Sequence, residues 1–345
     1  MKRHIYVAAL LGTSAVLAGS AAFGAQWWTC NGSPVIWRGT LNVQRQQCTI
    51  FSPAQTLDAY WNGVNQWNNL TSVVDNFLVR PASDCFFDDD DGINEVGLIS
   101  RGLIDGANGS TALSLGACGI GSNDIDEADV MIANDLDFDN KVGNVLSNSG
   151  GRATFVHEFG HLFGFNHQDG SAPNLLAVMS TNSPHALTGG AATATVFPND
   201  TFGFNTLYGL SSSLPNLMPS AMGANGTSAI LLNTGLTATC PGLNTNVSFF
   251  LGNTGKNASG TYNMRIRMST SSTPGAAGTT VATFTHSLAA FGTGVFSLPF
   301  TVPNLSPGDY FIHVDMDHTS SISEVREGDN STVSGRKIRI DFCPL

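Results

Sequence analysis

Three histidines, one glutamate and two glycines fall within the eleven residues His157-Glu158-Phe159-Gly160-His161-Leu162-Phe163-Gly164-Phe165-Asn166-His167. His157 and His161 are four apart. On a helix that spacing sets both imidazoles on one face, one turn apart, so two neutral ring nitrogens can reach one ion. Glu158 sits beside the first of them, where its carboxylate can face a water on that ion. Gly164 tolerates positive φ, so the helix can stop and the chain turn back there, bringing in His167 as a third ligand. Three protein ligands with a fourth position open are the arrangement of a catalytic Zn2+ rather than a structural one. Phe155, Val156, Phe159, Leu162 and Phe163 account for a buried helix, but not for histidines, glutamate and glycine in this order. Asp169 and His185 read as ordinary loop residues.

The extended pattern is H-E-x-x-H-x-x-G-x-x-H. Met179 lies downstream in Leu176-Ala177-Val178-Met179-Ser180, where a Met-turn would stand. In these residues the chain resembles the metzincin zinc metallopeptidases. Asp200-Thr201-Phe202-Gly203-Phe204-Asn205-Thr206-Leu207-Tyr208-Gly209 resembles the closing helix of matrixin catalytic domains, which ends in Leu-Tyr-Gly. The resemblance covers roughly residues 27–209. It implies a zincin-like catalytic domain, a twisted mixed sheet with long helices. It also implies one Zn2+ on His157, His161 and His167, Glu158 as general base and Met179 as the Met-turn residue. Ala128-Asp129-Val130-Met131-Ile132 resembles the edge strand beside a metzincin substrate cleft. Astacin-like and serralysin-like members carry a tyrosine two residues beyond the methionine. Thr181 stands there, so no tyrosine is expected at the metal. Neither a propeptide domain nor the matrixin cysteine-switch segment is read in the sequence.

Several elements must position this site. Ser52-Pro53-Ala54-Gln55 has the residues of a capping box with proline in the first turn. Leu57, Tyr60, Trp61, Val64 and Trp67 follow at helical spacing, predicting a helix to about Leu70 that packs on a sheet. Val35-Ile36-Trp37 is the apolar centre of an opening strand, and Val96 to Ile99 reads as another. The helix of the histidines begins near Arg152. Asp169-Gly170 and Pro173 supply turn chemistry before Met179.

Met1-Lys2-Arg3-His4, an apolar run from Ile5 to Leu17 and small residues through Ala25 read as a secretory signal peptide, cleaved after Gly24 or Ala25. The run is too short to span a membrane, and no other stretch could. The chain has 345 residues, enough for two domains, and a formal charge of −11, which argues against nucleic acid or anionic lipid as partners. Charged residues make up only 12%, so Gly, Ser, Thr and Asn fill the surface, as suits a β-rich secreted or periplasmic protein. Cys30, Cys48, Cys85, Cys118, Cys240 and Cys343 suggest disulfides in an exported chain. Sequential pairing is expected, Cys240 with Cys343 included.

Asp88-Asp89-Asp90-Asp91 and the alternating Asp135, Asp137 and Asp139 are candidate Ca2+ ligands, since clustered hard oxygen donors suit that ion. A solvated acidic loop is the other reading of each. Beyond Ser211-Ser212-Ser213-Leu214-Pro215 the pattern changes to short β runs: Ile230–Leu232, Val247–Leu251, Tyr262–Met268, Val281–Ser287, Val295–Phe300, Tyr310–Met316 and Lys337–Asp341. This predicts an immunoglobulin-like sandwich. Pro307-Gly308-Asp309-Tyr310-Phe311 and Ile322-Ser323-Glu324-Val325-Arg326-Glu327-Gly328-Asp329-Asn330 resemble CARDB-type adhesion-related domains.

The expected organisation is α+β: signal peptide 1–25, metzincin-like catalytic domain 26–210, linker 211–226 and sandwich 227–345. The expected activity is a secreted, monomeric zinc endopeptidase acting on a peptide or protein. The alternative is a surface-binding or adhesion protein that keeps a zinc site without turnover. The sandwich has no catalytic constellation and is expected to bind a surface or a large substrate.

Overall fold

The computed structural model describes residues 26–37, 43–45, 54–68, 70, 94–115, 124–136, 138, 151–167, 178–179, 196, 198–209, 213–220, 222–224, 227–229, 231–232, 238–271, 273–334 and 337–341. The signal peptide, Asp88 to Asp91, Asp137, Asp139, Asp169, Thr181, His185 and four cysteines (Cys48, Cys85, Cys118, Cys343) lie outside the described residues. The chain is mixed α+β with far more strand than helix. No helix among the described residues is long and apolar enough to cross a membrane.

The periodic aromatics before Leu70 form α1, Ala54–Asn68. Tyr60 and Trp67 on it are fully buried. They meet α2, Gly151–Leu162, which carries the first two histidines. Tyr60 makes edge contacts with Phe155 and Phe159, and the Trp67 ring lies 5.7 Å from Phe163 and 5.3 Å from Phe165. Phe204 of α3, Pro198–Tyr208, closes the cluster 5.7 Å from Trp67. Burying rings of this size at about 25 cal/mol per Å² is the main attraction holding the helices together.

The N-terminal strands are β1 (Thr29–Cys30), β2 (Ser33–Pro34), β3 (Val43–Arg45), β4 (Asn94–Ile99), β5 (Gly109–Leu115) and β6 (Ile125–Ala133). β1 and β2 form a small hairpin. The others form one sheet in the order β3-β4-β6-β5, in which only β5 runs antiparallel to its neighbour. This corrects one expectation. The strand containing Val130 is β6, interior and paired on both sides, and the edge on the α2 side is β5. The apolar run Val130-Met131-Ile132 is what a strand covered on both faces requires, whereas the small and polar Gly109-Ser110-Thr111-Ala112 gives little signal.

The second half holds β7 (Leu217–Ser220), β8 (Met222–Ala224), β9 (Thr227–Ala229), β10 (Leu231–Leu232), β11 (Ala238–Thr239), β12 (Asn244–Asn253), β13 (Tyr262–Ser269), β14 (Thr279–His286), β15 (Thr293–Thr301), β16 (Gly308–Asp315), β17 (Ser331–Val333) and β18 (Ile338–Ile340). All seven expected strands are present. One sheet is β10-β12-β15 with β7 also on β12, and the other is β11-β18-β16-β13-β14 with β17 on β16. Val247, Phe249 and Leu251 from the first sheet and Met264, Ile266, Ile312 and Val314 from the second are all buried. Arg267 and Asp315, each 3% exposed, form a two-pronged ion pair across β13 and β16.

The stretch 211–226, expected as a linker, is in part a strand of the sandwich. β7 pairs with β12 from Leu217↔Asn253 to Ser220↔Phe250. Asn216 is fully buried, and its side chain donates to Thr254 and to the Asp329 carboxylate, 3.0 Å each. The Glu324 carboxylate accepts the Leu217 amide and, at 2.7 Å, the Asn330 amide. The same loop reaches the first half of the chain, where the Arg326 guanidinium donates to the Leu70 carbonyl at 2.6 Å. From α3, Asn205 donates to the Thr254 carbonyl at 3.1 Å, and Phe202 packs on Phe291. A chain cut after Gly209 loses all of these contacts.

Burial pushes the Glu324 carboxyl up to about 8, reinforced by Asp329 and Glu327 and opposed by its two hydrogen bonds. The folded chain therefore holds a proton that the unfolded chain releases once pH passes the ordinary carboxylate range. Stability falls as pH rises from there to about 8. Glu324→Gln cannot ionise, and its amide can donate to Asn330 Oδ1, which is buried without a partner among the described residues. The variant should melt like the parent near pH 5 and be more stable by about 1 kcal/mol at pH 8, a figure reduced for residual solvation. Thermal melts at both pH values measure this, and equal losses in the two proteins would refute it.

Candidate metal centre

α2 stops where the sequence says it must. Gly164 has φ +85°, and a Cβ on it would lie 2.6 Å from the Val35 carbonyl, so both the turn and the close approach exclude a side chain. The Gly164 amide donates to His161 O at 2.8 Å and the Phe165 amide to Gly160 O at 3.2 Å, a glycine-capped helix end. The opening segment pairs with this turn: Trp28 N donates to Gly164 O at 2.8 Å, and Asn166 N donates to Gln26 O at 3.0 Å. His167 is thereby brought against the helix.

The three Nε2 atoms converge. His157 and His161 are 3.1 Å apart, His161 and His167 3.1 Å, and His157 and His167 3.2 Å. Among the described residues they are the group of His, Cys, Asp or Glu side chains close enough to share an ion. The other ring nitrogens fix the tautomers. His157 Nδ1 donates to Val178 O at 2.6 Å and His161 Nδ1 donates to Phe165 O at 2.8 Å, because a carbonyl can only accept. Both helix histidines therefore present bare Nε2 lone pairs to the cluster centre. Burial, then the neighbouring His157, pushes the His161 imidazole down to about 3, so it is neutral at ordinary pH.

These features fit Zn2+. Tetrahedral bonds of about 2.0–2.1 Å place ligand nitrogens about 3.3 Å apart, close to the observed spacing. Three converging ring nitrogens leave room for a further ligand.

Glu158 is 5% exposed and sits under the sheet edge. Burial pushes its carboxyl up to about 7, with the Thr111 hydrogen bond working against the shift. Thr111 Oγ1 donates to Glu158 Oε2 at 2.8 Å. Gly109, on the same face of β5, faces the carboxylate so closely that a Cβ there would lie 2.7 Å from Oε1.

Met179 is fully buried. Its sulfur lies against Gly160, where any Cβ would collide with it. Asp200, also fully buried, accepts from Val178 N at 2.8 Å and from Met179 N at 3.4 Å, holding this turn against α2. The helix carbonyls find donors far along the chain: Trp67 Nε1 on Val156 O at 2.8 Å, Trp37 Nε1 on Leu162 O at 2.6 Å and the Tyr208 hydroxyl on Phe163 O at 2.8 Å.

All the histidines, Glu158 and Met179 read from the sequence thus lie together. Asp135 does not join them. Its carboxylate is gripped by the Arg101 guanidinium at 2.8–3.1 Å, which also holds its pKa below the usual range. Cys30 is disulfide-bonded and so is not available as a thiolate for the cluster, and Cys240 is disulfide-bonded too. Their expected pairings fall outside the described residues. Thr111, Gly109, Gly160 and Asp200 carry no sequence signal for their part here, except that Asp200 opens the segment ending in Leu-Tyr-Gly.

No family model matches the chain, and no curated protein does. Solved structures do. A CARDB domain from Pyrococcus furiosus, in complex with di-metal ions, is 15% identical, with a TM-score of 0.28, covering 38% of this chain and 93% of that one. A domain of a putative cell surface protein from Methanosarcina acetivorans is 17% identical, with a TM-score of 0.26, covering 37% of this chain and 92% of that one. Spo0M, a sporulation control protein from Bacillus subtilis, is 14% identical, with a TM-score of 0.23, covering 38% and 51%. The sheet orders, rather than these distant likenesses, define the sandwich.

The contact between Met179 and Gly160 is testable. Gly160→Ala gains about 1 kcal/mol of helix propensity, but overpacking against Met179 and Trp67 costs about 1–3 kcal/mol. The expected net result is a lower urea midpoint. An unchanged or raised midpoint would show that Met179 yields freely.

Proposed function

We propose that this chain is a zinc-dependent endopeptidase of metzincin type. The observation that carries the reading is the convergence of three Nε2 atoms, two of them tautomer-fixed, beside a buried glutamate one residue from the first ligand. His157, His161 and His167 would hold the ion. When bound, Zn2+ lowers the pKa of a water towards neutrality and polarises a carbonyl.

The remaining steps belong to the chain's own residues. Glu158 takes a proton from the attacking water and delivers it to the leaving amine. The neutral Nε2 donors hold their geometry through the carbonyls of Val178 and Phe165. β5 pairs only with β6 among the described residues. Its free edge therefore offers main-chain donors and acceptors to an extended peptide, the way a strand is added to a sheet. Among the described residues the sandwich contributes no ligand to the cluster, and it is assigned to binding a surface or a large substrate.

The roles of His161 and Glu158 separate by experiment. His161→Ala should lose most of the bound zinc and the activity with it. Glu158→Ala should keep close to one zinc per chain, while peptide turnover falls by at least about 10²–10⁴-fold, the loss typical of a general base. Metal analysis and cleavage of a mixed peptide library, with and without a zinc chelator, measure both. A Glu158→Ala protein that cleaves at the parent rate sinks the mechanism. A parent protein that holds zinc and cleaves nothing moves the reading to a binding protein with a retained metal site.

A further inference from the structure

The general base has a partner outside the histidine motif. Gly109 and Thr111 alternate on one face of β5, and both meet the Glu158 side chain. Thr111 Oγ1 is 2.8 Å from Oε2 and 3.1 Å from the backbone oxygen of the same residue. Oε1 accepts no hydrogen bond among the described residues and is not sealed from solvent. Gly109 adds no side chain beside Oε1, where a Cβ would lie only 2.7 Å from that oxygen. The two oxygens are therefore unlike: one is tied to the sheet edge, the other is left for chemistry.

We propose that Thr111 is the positioning residue for Glu158, holding Oε2 against β5 so that Oε1 faces the reacting water. This rests on the peptidase reading above and adds to it a residue of the neighbouring sheet edge. A buried carboxylate on a rotatable two-carbon stem has several rotamers open to it. A single hydroxyl, placed by a strand whose register on β6 is fixed at Thr111↔Val130, selects one of them. The strand that would bind the substrate and the group that sets the base are then the same element. Displacement of β5 displaces both together.

The test uses the full chain with Thr111→Val, which keeps the shape and removes the hydroxyl, and Thr111→Ser, which restores it. With zinc loaded, Thr111→Val should hold as much metal as the parent and show kcat about 10- to 100-fold lower, as for a lost hydrogen bond to a charged group. KM should stay within about twofold, because the interaction acts after binding. Thr111→Ser should recover most of kcat. A second readout needs neither zinc nor activity. In the zinc-free chain, Thr111→Val should lower the melting temperature in the parent background and much less in the Glu158→Ala background, because the partner is gone. Equal shifts in the two backgrounds, or an unchanged kcat in an otherwise active enzyme, overturn the proposal alone. A parent chain that holds zinc and cleaves no peptide overturns the peptidase reading and this proposal with it.

Discussion

The arrangement of the histidines depends on how the end of one helix is satisfied. The last turn of any α-helix leaves carbonyls without intrahelical donors, and buried carbonyls cannot stay bare. At the end of α2 the donors come from three directions. Trp37 reaches Leu162 O from the opening segment, Tyr208 reaches Phe163 O from α3, and the backbone of Trp28 reaches Gly164 O. Each such bond contributes about 1 kcal/mol net, and leaving its acceptor bare costs more. Together they fix where the chain reverses, and so where His167 arrives. The three imidazoles are thus placed by groups that lie outside the cluster they form.

The same helix is anchored from below by aromatic packing and from the side by a buried carboxylate. Tyr60, Trp67, Phe159, Phe163, Phe165 and Phe204 are almost wholly enclosed. Gly160 lets the Met179 sulfur lie flat on the helix between the first two ligands in sequence. Asp200 holds the amides of Val178 and Met179, and Val178 in turn accepts from His157. A path of hydrogen bonds therefore runs from α3 through the turn to the His157 imidazole. Its rigidity matters, because a ligand nitrogen misplaced by a fraction of an ångström loses both metal affinity and reactivity.

Much of this was legible in the sequence where chemistry and local spacing coincide. The histidines, Glu158 and Gly164 lie within one short stretch, where period and capping place them without knowledge of the rest, and the metzincin resemblance adds Met179. The apolar alternation after residue 230 likewise reads as strands, and all seven appear. What could not be read is what arises between distant segments. Thr111 meets Glu158 across 47 residues, and Trp37 meets Leu162 across 125. β5 is small and polar, so neither its strand character nor its edge position announces itself. The expectation of an edge at Val130 rests on the resemblance of Ala128-Asp129-Val130-Met131-Ile132 to a metzincin edge strand. A strand so uniformly apolar belongs inside a sheet, and the sheet puts it there. The linker was misplaced for a related reason: Pro and Ser suggested loop, whereas Leu217 to Ser220 complete a sheet whose other strands lie later in the chain.

β7 also bears on how such a chain is assembled by gene fusion and recombination. The sandwich does not begin where its clear strand pattern begins. A donor fragment starting at residue 227 would leave Phe250 to Asn253 unpaired along one side and deprive Glu324 of the Leu217 amide. A fragment starting just after Gly209 carries its own covering strand with it. The transferable unit is therefore longer than its visible repeat of strands, and a graft made at the apparent boundary exposes an unpaired β-edge, the feature that seeds association with other chains.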